Sequence, residues 1–456
     1  MVPLAQAITP AFSADDVLSP YVYVFYAAFL ISFIFTPVMR RVASHYGIID
    51  QPDNLRKMHR TPVAYLGGVA VFLGWISGLA MSQFTQMHRV APGLDDHVVI
   101  PWSIVVAATM IVLLGLWDDT RHITPTIKIM GQVAAAVLLL LDGVGTQATL
   151  PMIRQVTMRT SMWVGWPETA YPPEWLVLST SCALVVAIIV FCCNATNLMD
   201  GLDGLCGGVT AVVAIGYSII AVYLAMFGQG DTANWDAARV VLALALVGGV
   251  LGFVPYNFNP ASIFMGDTGS MFLGFSCGLM IVLMAEVENK WFLAAMIMFA
   301  LPILDTSLAF ARRYVNRRPL FSADKHHLHH QLVARGLSVR QAVVLSYGLA
   351  IGFVILGAAI LVIKTRYALM AYLVIFGSII VAAYKMGMVH ERVVVTRRKP
   401  LDEEALARPM GQAVTGDVLE VREDEPVEGG NGTAVAPPGA WSPPAQRDAS
   451  STPVDR

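Results

Sequence analysis

The chain has 456 residues, of which 56% are hydrophobic and 14% charged, and its formal net charge is −2; the mean hydropathy is +0.62. Soluble globular chains carry about 25% charged residues, so this composition sets aside a soluble enzyme, a disordered chain and a secreted disulfide scaffold. The near-zero charge leaves no footprint for nucleic acid, and the reading is an integral membrane protein.

Residues 1–20 hold no Lys or Arg ahead of the first apolar run, so they read as an external N-terminal segment and not as a cleavable leader. A helix needs about 20 apolar residues to cross a bilayer. Runs of that kind lie near 21–39, 66–84, 99–117, 125–142, 175–193, 205–227, 237–255, 267–285, 291–311, 341–363 and 368–388, the fourth being the shortest. The expected fold is therefore all-α and polytopic, with about eleven transmembrane helices over residues 21–388. Cys182, Cys192, Cys193, Cys206 and Cys277 lie in or beside these runs without zinc or disulfide spacing. The stretch 143–174 reads as a longer external loop forming a small hairpin or an interfacial patch. From 389 to 456 the chain turns acidic and Pro-rich (EVREDEPVEGG, APPGAWSPPAQ), with too little apolar surface to offset ordering entropy; a disordered tail is expected.

Lys and Arg choose the side. With the N-terminus outside, the loops after odd-numbered runs and the segment after the last run hold nineteen of them, and the opposite loops hold seven. The positive-inside rule then makes the tail cytoplasmic.

The unusual acids fall on that same side. The segments are GLWDDTRH with Asp118 and Asp119, NATNLMDGLDGL with Asn194, Asn197, Asp200 and Asp203, and PYNFNPASIFMGDTGS with Asn257, Phe264 and Asp267. They are joined by RRYVNRRPLFSADKHHLHHQL, carrying Arg312, Arg313, His326, His327, His329 and His330, and by DQPDNLRKMHRTPVAYLGG, carrying Arg56, Lys57 and His59. An Asp pair at a helix end is ordinarily a solvated cap, and Gly266-Asp267-Thr268-Gly269-Ser270 alone is a turn and helix start. In company they read differently. Carboxylates that converge without matching cations repel, and a hard divalent ion such as Mg²⁺, which takes oxygen ligands and substrate phosphates, is the usual remedy. Asn194, Asn197 and Asp200, three apart, share one side of a helical turn. The histidines lack the cysteines of a zinc site and, with the arginines, suit a diphosphate and a sugar. Asp305, inside the ninth run, is read as orienting this histidine loop. A cation- or proton-coupled transporter is the reading from another class, since intramembrane acids mark ion paths, but no half-repeat is visible.

Together these segments, over about residues 20–385, resemble the polyprenyl-phosphate N-acetylhexosamine-1-phosphate transferases. The resemblance implies transfer of a sugar-1-phosphate from a UDP-sugar to a lipid phosphate, with Mg²⁺ or Mn²⁺ and release of UMP, at the cytoplasmic face of the cell inner (plasma) membrane. It implies that Asp118 and Asp119 flank the lipid phosphate, with Asp118 as base, and that Asp267 holds the metal together with Asp119; some mechanisms make Asp267 a nucleophile. Asn194, Asn197, Asp200, Asp203, Asn257 and Phe264 would line the nucleoside and diphosphate pocket, with Asp203 at the uracil. His326, His327, His329, His330, Arg312 and Arg313, with one of Arg56, Lys57 and His59, would contact phosphate. The D-K-H-H-L-H-H-Q-L pattern resembles the GlcNAc-1-phosphate branch that initiates O-antigen, enterobacterial common antigen or wall teichoic acid, with UDP-GlcNAc as donor and undecaprenyl phosphate as acceptor. The phospho-N-acetylmuramoyl-pentapeptide transferases of peptidoglycan synthesis are the alternative branch. A homodimer is left open, and the tail hints at an unidentified partner.

Overall fold

A computed structural model describes residues 12–50, 62–86, 100–164, 172–227, 233–317, 327–360 and 363–385. The expected tail and the positions Arg56, Lys57, His59 and His326 lie outside these residues. In chain order the described elements are α1 (Ala14–Leu18), α2 (Val22–Tyr46), β1 (Ile49–Asp50), β2 (Val63–Ala64), α3 (Gly67–Gln86), α4 (Trp102–Arg121), α5 (Pro125–Leu141), α6 (Leu150–Val164), α7 (Glu174–Met199) and α8 (Leu205–Phe227). They continue with α9 (Ala233–Asn257), α10 (Gly266–Ala285), α11 (Asn289–Met298), α12 (Ala300–Val315), α13 (Leu328–Ala334), α14 (Val339–Ala359) and α15 (Thr365–Lys385).

The chain is a multi-pass membrane protein. Among the described residues, eight helices are long and apolar enough to cross a bilayer, and α11 with α12 makes a ninth if the bent pair is one span. Helix α5 and the segment Leu369–Ala382 of α15 are apolar but shorter. Each of the eleven apolar runs thus falls on helix among the described residues, but eight or nine spans, not eleven, are long enough to cross. The ninth run is not one straight rod. It breaks by 71° between Met298 and Ala300, because Pro302 can donate no N–H and its ring clashes with the carbonyl four residues back. Within the 143–174 stretch, residues 150–164 form helix α6 and not a hairpin, leaving the interfacial patch as the other expectation.

Helix α10 is the axis of the fold. Its spanning window is wholly buried, against 22% for α2 and 83% for α9, and it packs on α7, α4, α3, α9 and α8. Glycine makes that approach feasible. A Cβ at Gly115 of α4 would lie 2.6 Å from the Thr268 nitrogen, and Gly68 of α3 has Gly269 as its immediate neighbour. Strands β1 and β2 pair antiparallel, Ile49 opposite Ala64 and Asp50 opposite Val63. Beyond β2, the Phe264 N–H donates to the Ala64 carbonyl at 2.8 Å, and Gly67 and Gly68 donate to the carbonyls of Phe264 and Met265 at 3.0 and 2.9 Å. These bonds lace the start of α3 to the start of α10, so their first turns stand side by side.

Candidate active site

The site forms at one end of the bundle, where α4, α7, α9 and α12 finish and α5 and α10 begin. Asp118 and Asp119 occupy the last turn of α4 and point to different partners. Asp119 reaches the first turn of α10: its Oδ1 accepts from the Asp267 N–H at 2.8 Å, and its Oδ2 accepts from the Thr268 N–H at 3.0 Å and the Thr268 hydroxyl at 2.6 Å. A helix start leaves N–H groups without partners, and a carboxylate from another helix satisfies them here. Gly266 makes room for it, at φ +72° with Asp119 Oδ2 only 2.6 Å from where its Cβ would stand. Asp119, expected as a metal ligand, is thus engaged through both oxygens in holding α10.

Asp118 is buried, and its Oδ1 accepts from the Ile123 N–H at 2.9 Å. Its Oδ2 pairs with the ammonium of Lys128 in the first turn of α5, and the same Nζ donates to Asp267 Oδ2 at 2.6 Å. Asp267 Oδ1 accepts from Asn197 Nδ2 at 2.9 Å, and that amide also reaches Ser270 Oγ at 3.0 Å. The sequence reading supposed that the acids converge without a matching cation; Lys128 corrects it. The lysine was legible as one cation opening an otherwise apolar helix (PTIKIMGQVAAAVLLLL), on the same side as the acids.

The asparagine–aspartate run divides its labour. Helix α7 extends to Met199, so Asn194 and Asn197 sit on its final turns and not in a loop. Asn194 Nδ2 donates to Gln132 Oε1 at 2.7 Å, tying α7 to α5. Asp200 follows the helix; burial, then the charges of Asp267, Asp119 and Asp203, push its carboxyl up to about 8. Burial is the larger cause, and the neighbouring carboxylates add the negative field that a cation or a donor-rich ligand meets here. Asp203 Oδ2 accepts from Asn259 Nδ2 at 2.9 Å and from the Ala261 N–H at 3.0 Å. Asn257 is buried and bound at both ends, to the Gly204 N–H at 3.1 Å and the Ile263 carbonyl at 3.0 Å. Tyr347 of α14 donates to the Gly204 carbonyl at 2.5 Å. Asn257 and Tyr347 therefore shape the 200–204 loop through its backbone. Phe264 is half-buried with its ring 6.0 Å from that of Tyr65.

The histidines collect around Asp305 of α12. Its Oδ1 accepts from the Leu328 N–H at 2.7 Å, and its Oδ2 lies 3.2 Å from His327 Nδ1 and 3.8 Å from His329 Nδ1. The rings of His327 and His329 stack 5.6 Å apart, and His330 lies 4.3 Å from His329. His329 packs against Gly201, whose Cβ would run into its Nε2, so the histidine segment touches the acidic loop. Burial drives the His329 imidazole down to about 3, with Asp305 opposing the shift. Arg312 and Arg313 are buried in the last turn of α12, and the Arg313 guanidinium lies 5.6 Å from the centre of the Phe310 ring.

Among the described residues, no group of three or more His, Cys, Asp or Glu side chains is arranged to hold a metal ion. Asp118 and Asp267, however, already share one cationic group. That donor set fits an ion bound through one or two carboxylates and completed by substrate phosphates and water, the habit of Mg²⁺.

The model of glycosyl transferase family 4 matches residues 101–285. A probable undecaprenyl-phosphate N-acetylglucosaminyl 1-phosphate transferase of Bacillus subtilis is 34% identical over 384 residues, covering 83% of this chain and 95% of the relative. A decaprenyl-phosphate N-acetylglucosaminephosphotransferase of Mycobacterium tuberculosis is 32% identical over 347 residues, 73% of this chain and 80% of its own. An undecaprenyl-phosphate alpha-N-acetylglucosaminyl 1-phosphate transferase of Escherichia coli is 28% identical over 322 residues, with 70% and 77% covered.

Proposed function

From the premise that the chain belongs to glycosyl transferase family 4, we propose that it transfers N-acetylglucosamine-1-phosphate from UDP-N-acetylglucosamine to undecaprenyl phosphate and releases UMP. The observation that carries this reading is the Asp118–Lys128–Asp267–Asn197 constellation at the opening turn of the buried helix α10. Two phosphate-bearing substrates need cations to approach one another, and the constellation offers an ammonium and a cation-ready carboxylate pair. The names of the three relatives agree on the transferred group and on a polyprenyl phosphate acceptor.

In the proposed reaction an oxygen of the lipid phosphate attacks the β-phosphorus of the UDP-sugar. The bond from that phosphorus to the bridging oxygen breaks, and UMP departs with the electron pair. Mg²⁺ or Mn²⁺ would be held by Asp267 with Asp118, and when bound would neutralise diphosphate charge. With Oδ1 held by the Ile123 N–H and Oδ2 facing the cation, Asp118 would position the lipid phosphate beside that cation, and Asn197 keeps the Asp267 carboxylate oriented. Phosphoryl transfer asks mainly for positioning and electrostatics from the protein. Asp203 and its loop are assigned to the nucleoside, and His327 with its neighbours to the diphosphate and sugar. The excess of Lys and Arg in the loops at this end of the bundle supports a cytoplasmic face of the inner membrane, with the N-terminus outside. The product would begin a surface polysaccharide.

The test is UMP release by purified protein with undecaprenyl phosphate and Mg²⁺, UDP-GlcNAc being compared with UDP-MurNAc-pentapeptide. Turnover of the first alone is expected. Turnover of the second alone would overturn the sugar assignment, and turnover of neither would overturn the reaction.

A further inference from the structure

Lys128 is unusually committed for a phosphate-seeking lysine. Its ammonium is held between Asp118 Oδ2 and Asp267 Oδ2, oxygens of the two carboxylates proposed above to hold a divalent cation. The remaining oxygens of both carboxylates are engaged elsewhere, Asp118 Oδ1 by the Ile123 N–H at 2.9 Å and Asp267 Oδ1 by Asn197 at 2.9 Å. An arriving metal ion therefore meets oxygens that already carry a positive charge. Ammonium and divalent ion cannot occupy the same point, and two cations pressed together in a half-buried site repel strongly.

Resting on the transferase reading, we propose that Lys128 is a built-in counter-ion. It holds Asp118 and Asp267 together until a divalent metal takes its place, and the displaced ammonium then becomes available to a substrate phosphate. No covalent bond changes; one cation replaces another on the same two oxygens. The exchange has a use. Two bare carboxylates at the edge of an apolar bundle would repel, and the lysine keeps their spacing until the ion arrives. It also sets the metal affinity lower than the carboxylates alone would give, because the ammonium must be expelled first. The side chain has room to leave: it is 21% exposed and roots in the first turn of α5.

The proposal is tested by Mn²⁺ binding, read by electron paramagnetic resonance on purified full-length protein without either substrate. Lys128→Met removes the competing charge and keeps the apolar stem. It should bind Mn²⁺ at least about tenfold more tightly than wild type, while UMP release falls. Equal or weaker Mn²⁺ binding by the folded variant would overturn the proposal, since a purely structural bridge predicts loss and not gain. A second measurement needs no variant. Acylation of Lys128 in wild type by an amine-reactive reagent, mapped by peptide mass spectrometry, should accelerate as Mg²⁺ is added; a rate independent of Mg²⁺ or slowed by it would overturn the exchange even if Lys128→Met fails to fold. Absence of Mn²⁺ binding to wild type would instead remove the metal from the transferase reading, and this inference with it.

Discussion

The two ends of α10 follow one physical rule and serve different purposes. A helix buried in an apolar bundle cannot leave its terminal N–H and C=O groups to water, and its dipole favours an anion at the start and a cation at the finish. At the start, Asp119 supplies the anion, accepting from two backbone N–H groups and the Thr268 hydroxyl. At the finish, Arg239 Nε donates to the Leu283 carbonyl at 3.0 Å, while its Nη1 is held by Asp236 at 2.7 Å. The far end is sealed, with Arg239 and Asp236 side chains 2% and 5% exposed; the near end keeps Asp267 at 30%. The same capping chemistry thus anchors the helix at one end and leaves the lysine-paired carboxylate of Asp267 open at the other. Both ends bury charge; what separates them is the accessible, cation-paired carboxylate beside the capped backbone at the start of α10.

Substitutions can break that contrast. Asp267→Asn should reduce UMP release by about 10³-fold, the scale of losing a key electrostatic group, with the thermal midpoint in detergent little changed; near-normal turnover would remove Asp267 from the chemistry. Arg239→Met should do the opposite. It strands Asp236 and the end of α10 at about 3 kcal/mol of stability, while the protein that remains folded keeps its kcat/KM, and a fall in kcat/KM would show that the far end also serves the reaction. Asp119→Ala should affect both, costing about 2 kcal/mol through the unmet donors and lowering turnover through the loosened Asp267. The apparent Mg²⁺ requirement should stay put, because both Asp119 oxygens are engaged with α10; a weakened Mg²⁺ dependence would restore Asp119 as a ligand.

The smallest effect concerns the histidine segment, which packs on the acidic loop from outside α10. His329 titrates at about 3 when folded against an ordinary 6.5, so between those values the unfolded chain binds the extra proton. Its contribution to stability is present above pH 6.5 and is lost progressively as pH falls below it. Thermal midpoints measured from pH 7.5 to 5 should decline in wild type and decline less in His329→Gln. Equal slopes would show that His329 is not the group responsible.

Much of this was legible in order along the chain. Apolar runs located the helices because the bilayer leaves the backbone few other choices, and the acids at run ends gathered on one side by topology alone. What escaped depended on distant partners. Nothing local distinguishes Asp118 from Asp119, and their tasks separate only when α10 arrives 148 residues later to offer Asp119 its N–H groups. Lys128 counted merely as a cytoplasmic charge until α5 folded back beside α4. The resemblance implied a pocket role for Asn257, and only the fold shows its amide taken up by two backbone groups. The break ahead of α12 was written locally in Pro302, while α6 was hidden by the Pro and Trp residues that suggested a loop.

Asp305 has a further consequence. One buried carboxylate meets both the His327 ring and the Leu328 N–H, so ring and following peptide are fixed by a single side chain of α12. That part of the segment has already surrendered its conformational freedom before any ligand arrives, and the association free energy need not be diminished by freezing it.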